Sequence, residues 1–143
     1  MQRSDFKKGQ IVYLLIRTGS NRARELIYQN PAAKNTKAID LYIVEGIVKT
    51  VGPKYITVEE TDESSYTYTA KFAVHLDFRE ETNFGGSNYQ LFLSKQAAYD
   101  AVEYKNLCLA FESEFSLCFK GRNHTFTLQQ LKKAAEILQI TVD

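Results

Sequence analysis

The chain has no tryptophan, one methionine, two prolines, two histidines and two cysteines among its 143 residues. Each shortage removes a class of protein. Cys108 and Cys118 fall in what reads as one helix, and roughly 15 Å of helical rise between them is too far for a disulfide. They read as buried thiols of a reducing compartment. Without a Cys-x-x-Cys pair, a zinc site lacks its ligands, so neither metal nor cofactor is expected. Charge of one sign is also missing. A net charge of +1 means that the molecule as a whole is not an electrostatic binder of nucleic acid, and any such role must rest on a local patch. No apolar run approaches the ~20 residues that span a bilayer, and Met1-Gln2-Arg3-Ser4-Asp5 is too polar for a signal peptide. An intracellular protein with no membrane role is expected.

Aromatic residues are plentiful: nine tyrosines and nine phenylalanines, which suit strands better than helices. The length predicts one domain, 1–143, large enough for its own core. Lys7-Lys8-Gly9 is a turn signal, and the apolar run from Ile11 to Ile16 reads as a strand. Leu41 to Val51 and Lys54 to Glu60 read as a hairpin about Gly52-Pro53, and Gly46 in mid-strand predicts a bulge or sharp bend. From Tyr66 to Val74 residues alternate, with Tyr66, Tyr68, Ala70 and Phe72 on one face. Another strand is expected within His75–Thr82, then a loop through Phe84-Gly85-Gly86-Ser87-Asn88, then a last strand at Tyr89–Leu93.

The period then changes. Ser94 is a candidate N-cap, and Tyr104, Leu107, Cys108, Phe111, Phe115 and Cys118 recur at helical spacing. Gly121-Arg122-Asn123 should end that helix. Thr127-Leu128-Gln129-Gln130 is a capping box for a second one. The fold class expected is α+β: a small SH3-like antiparallel β-barrel over 6–93, then a helical hairpin over 94–140 packed on it or serving as a homodimer contact.

Candidate chemistry is sparse. His75 near Asp77 could be a general base, but no nucleophile motif accompanies it, and His124 sits in a loop. The glycines at 85 and 86 lack the Lys-Ser/Thr of a phosphate loop and precede a strand. Across 59–81, Glu59, Glu60, Asp62, Glu63, Asp77, Glu80 and Glu81 outnumber Lys71 and Arg79, which reads as a solvated acidic edge. The segment 18–40 is a long basic insertion between two strands. Arg22 to Tyr28 can form two helical turns capped by Ser20 or Asn21. From Arg17 to Ala38, Arg17, Arg22, Arg24, Lys34 and Lys37 face Glu25 alone. With Tyr28 and Tyr42 they form the candidate partner-binding surface, because Arg and Tyr serve both protein hot spots and phosphate contacts. No catalytic set is visible, and an enzyme is not expected.

Taken together, Lys7-Lys8-Gly9-Gln10 with Val12-Tyr13, then Val44-Glu45-Gly46 through Lys54-Tyr55, Asn88 to Ser94 running into a helix, and Thr127 to Leu138 resemble a loose group. It consists of small SH3-like β-barrel proteins encoded by phages and mobile elements of Firmicutes. The long basic insertion departs from the shorter hairpin of that group. The resemblance implies an accessory protein in the host cytoplasm and carries no catalytic residues. It points to a non-enzymatic binder of a host or defence protein, such as an anti-defence inhibitor. Two alternatives stay open: a regulator that binds nucleic acid through the basic loop, and a protein that sequesters a small anionic ligand such as a nucleotide.

Overall fold

The computed structural model describes residues 1–34, 42–61, 67–83, 86–119 and 126–140. Two compact units, Met1–Ala101 and Val102–Asp143, make up the chain.

The first unit is an antiparallel sheet of six strands that curls into a nearly closed barrel. Its strands are β1 (Ile11–Ile16), β2 (Ile43–Val51), β3 (Tyr55–Glu60), β4 (Thr69–Ala73), β5 (Arg79–Glu80) and β6 (Tyr89–Phe92), in the order β5-β4-β3-β2-β1-β6. Alternation sets the core. Val12, Leu14 and Ile16, then Ile56 and Val58, then Ala70 and Phe72, then Tyr89 and Leu91 all point inward and are buried. The β2–β3 hairpin closes as expected, with the Gly52 amide donating to the Tyr55 carbonyl at 2.8 Å.

Gly46 does a different job from the one its position suggested. The β-bulge lies between Val48 and Thr50, where the register with β3 shifts. At Gly46 a Cβ would sit 2.5 Å from Val58 Cγ1 and 3.2 Å from Leu14 Cδ1. The glycine therefore allows side chains of both neighbouring strands to fill the space over it.

Between β1 and β2 runs α1 (Asn21–Gln29), with Ser20 as N-cap accepting from the Ala23 amide at 3.1 Å. Ala23 is buried and Leu26 packs against the core, so α1 covers part of the barrel. A one-turn helix at Val74–Leu76 leads to Asp77 and Phe78, which have φ of 52° and 57°. Phe78 is buried against Phe6, their ring centroids 5.2 Å apart.

After β6, Ser94 caps α2 (Lys95–Phe119) by accepting from the Ala97 amide at 3.2 Å. Ala98 is fully buried. In the second unit, Tyr104, Leu107, Leu109 and Phe111 of α2 are exposed, as is Cys108, which corrects the expectation of a buried thiol there. The side chain of Cys118 and the helix end at Gly121-Arg122-Asn123 lie outside the described residues. Phe115 stacks on Phe111 and meets Phe126 at a tilt. The final helix, α3 (Leu128–Ile137), begins with the expected capping box: the Gln130 amide donates to Thr127 Oγ1 at 3.2 Å, and the Thr127 amide to Gln130 Oε1 at 2.9 Å. No helix among the described residues is long and apolar enough to cross a membrane.

Gly46→Ala is expected to lower stability by about 1–3 kcal/mol, because the added methyl overpacks the β2–β3 contact. Urea denaturation measures this as a lower midpoint at unchanged slope.

Candidate functional site

Period-two alternation puts Glu60 in phase with Ile56 and Val58, and Glu80 opposite Phe72. Both carboxylates therefore turn inward and are buried. This corrects the reading of residues 59–81 as a uniformly solvated acidic edge. Asp62 and Glu63 lie outside the described residues. Glu59, Asp77 and Glu81 keep more solvent, and Glu59 pairs with Lys49 at 3.2 Å.

The partner of Glu60 comes from α1. Arg22 sits one turn before Leu26 on the face that meets the barrel, and it is only 3% exposed. Its Nε donates to Glu60 Oε1 and its Nη2 to Oε2, each at 2.9 Å, in a two-pronged pair. The Tyr89 hydroxyl donates a third hydrogen bond to Glu60 Oε1. Arg22 Nη1 is buried with no hydrogen-bond partner among the described residues, but the guanidinium lies over the Tyr68 ring, its carbon 4.0 Å from the centroid. The Glu60 hydrogen bonds hold the Arg22 proton above the ordinary arginine range, against a smaller opposing effect of burial. Burial first, then the hydrogen bond to Glu60, raises the Tyr89 hydroxyl well above its ordinary 10.0. An Arg22 so placed cannot meet a partner, so the expectation that it belongs to the basic surface is corrected.

Glu80 closes the barrel. One oxygen, Oε2, accepts from the Asn88 amide at 2.6 Å, the Tyr89 amide at 2.7 Å and Ser87 Oγ at 3.1 Å. A side chain thus takes the place of ladder hydrogen bonds between β5 and β6. Asn88 in turn accepts the Arg22 amide on its Oδ1 at 3.2 Å, which ties the start of α1 to the strand that Glu80 fastens.

Above this network lies a shallow basin of about 520 Å³ lined by Arg24, Glu25, Tyr28, Gln29 and Tyr68. Tyr68 joins the two levels. One face of its ring carries Arg22, and the nearby Glu25 carboxylate raises the proton affinity of its hydroxyl. Arg24 is exposed, and Tyr28 at the rim is 89% exposed. Lys34 is also exposed, and Tyr42 is half-buried with its hydroxyl donating to the Ala33 carbonyl at 3.3 Å. Arg17 is exposed but belongs to a separate cavity with Arg79, and Lys37 lies outside the described residues. The structure therefore brings Arg24 and Tyr28 together and separates them from Arg17. His75 is exposed, and His124 lies outside the described residues. Among the described residues no three His, Cys, Asp or Glu side chains are grouped to hold a metal ion.

The family model for the phage ProQ C-terminal-like domain matches residues 1–141. The chain therefore belongs to that family of small phage-associated domains. No curated protein and no solved structure shows a match to it.

Glu60→Leu alone is expected to destabilise the fold by about 3–5 kcal/mol, since it strands a buried guanidinium. The alkaline limb carries a second expectation. Tyr89 holds its proton more tightly folded than at the ordinary 10.0 of an unfolded chain. Its contribution is therefore complete below pH 10 and is lost as pH rises from there toward the folded value. Urea midpoints measured from pH 8 to 12 should fall above pH 10, and Tyr89→Phe should flatten that fall while lowering stability at pH 8.

Proposed function

Starting from membership of the phage ProQ C-terminal-like family, we propose that the chain is a non-enzymatic phage accessory protein that binds a host or defence protein. The outer face of α1 is the contact surface. One observation carries this reading: a tyrosine 89% exposed stands at the rim of a 520 Å³ basin beside Arg24, Gln29 and Tyr68. Tyr and Arg beside a concavity are the composition of protein hot spots, where a large rigid side chain gains contact area at little entropic cost. An inhibitor of a defence protein is the specific role that fits a small phage-encoded domain with such a face.

Nucleic-acid binding through the same face is the weaker reading. Glu60 neutralises Arg22 and Glu25 lies within the basin beside Arg24, so Arg22 and Arg24 do not act as one basic patch. Affinity for a polyanion grows with the number of phosphates neutralised, and among the described residues this basin offers Arg24 alone.

A pull-down from host lysate, with and without nuclease, separates the two. Wild type should retain a protein after nuclease treatment, and Arg24→Glu with Tyr28→Ala should reduce its recovery about tenfold or more without unfolding the domain. Retention that vanishes with nuclease would assign the face to nucleic acid instead.

A further inference from the structure

Among the described residues the two edge strands of the sheet, β5 and β6, face each other across an incomplete seam. At one end the Glu80 carboxylate bridges it. Among the described residues no ladder runs between the two strands. The Arg17 amide donates to the Asn88 carbonyl, so antiparallel alternation turns the main-chain groups of Tyr89 and Leu91 away from β1 and toward the seam. Glu80 takes the Tyr89 amide, while Leu91 borders a cavity of about 390 Å³, within the range of small-molecule sites.

Outward-facing side chains wall this cavity. Gln90 and Phe92 share one face of β6, Arg79 faces outward from β5, and Arg17 extends from the end of β1. Arg17 Nε donates to the Tyr89 carbonyl at 3.4 Å, which lays the side chain along the seam. Among the described residues neither Arg17 nor Arg79 has a carboxylate within ion-pair reach, although Asp77 lines the same cavity. Two guanidinium groups outside any ion pair among the described residues, with the single Asp77 carboxylate, thus border one concavity and leave it a net positive charge. The Asp77–Phe78 turn, two successive residues in the left-handed region, also lines the cavity. A bulky phenylalanine is costly there, and the strain is held by packing of Phe78 on Phe6. Strain of this kind concentrates where a fold fixes a ligand-binding wall.

We propose that this seam cavity binds a phosphate monoester carrying a planar apolar group, as in a nucleoside monophosphate. The dianion meets Arg17 and Arg79, whose planar forks match phosphate oxygens. The ring packs on Phe92, and the Gln90 amide supplies both a donor and an acceptor for its edge. Among the described residues the cavity shares no lining residue with the α1 basin, so this site is independent of the protein-binding reading.

Calorimetry on the full chain with adenosine, guanosine and uridine monophosphates, inorganic phosphate and the parent nucleosides tests this. At least one monophosphate should bind with Kd below about 1 mM, more tightly than phosphate, and its nucleoside should give no saturable heat. Arg17→Gln with Arg79→Gln should weaken it about tenfold or more. Phe92→Leu should weaken the monophosphate and leave phosphate unchanged. Amide shifts in NMR should localise to Arg79 and Gln90–Phe92. No saturable binding of any monophosphate, undiminished binding by the double variant, or shifts confined to the α1 basin would overturn the assignment.

Discussion

A buried ion pair between Arg22 and Glu60 is the constraint around which the barrel unit is arranged. Removing both charges from water costs several kcal/mol each, and a pair of this kind recovers that cost only with good geometry and further hydrogen bonds. The geometry is good, and the further hydrogen bond falls on the Glu60 side of the pair. The contact is two-pronged, the Tyr89 hydroxyl adds a donor to Glu60, and the Tyr68 ring covers the guanidinium. The balance is closer to specificity than to net stability. An apolar pair of similar volume could fill the same space, but it would not dictate where α1 lies on the barrel.

From that pair the geometry propagates in two directions. Upward, Arg22 fixes α1 and Tyr68, and these two elements shape the basin rimmed by Arg24 and Tyr28. Sideways, Tyr89 links Glu60 to β6, where Glu80 fastens the strand to β5 through main-chain amides. The same arrangement changes the electrostatics. One base of the insertion and one acid of the 59–81 stretch cancel each other inside the barrel, so the surface is less polarised than the sequence implies.

Much of this fold is legible in the sequence because it depends on local rules. Ser20 and Thr127 cap helices where side chains near in sequence meet the first turn, and Val12, Leu14 and Ile16 or Ile56 and Val58 alternate as strands must. The pair of carboxylates and the arginine escaped because charged residues read as solvated by default, while their partners are distant in the chain. A signal existed. Glu60 continues the inward phase of Ile56 and Val58, and Arg22 shares a helix face with Leu26. An acid in core phase within one strand and a base in core phase on a helix together predict a buried pair. The bulge was misplaced for a related reason. A glycine in a strand can mark close approach as well as a bulge, and only the packing of Val58 and Leu14 over Gly46 decides between them.

The central claim is that the Arg22–Glu60 pair positions α1 rather than holding the barrel together. Hydrogen exchange of the α1 amides in Arg22→Met with Glu60→Leu tests it most directly. Global stability of this double variant should stay close to wild type, while amides of Glu25 to Gln29 exchange much faster as the helix loses its fixed seat. Unchanged protection of those amides at unchanged stability would contradict the account, because apolar packing alone would then suffice to place α1.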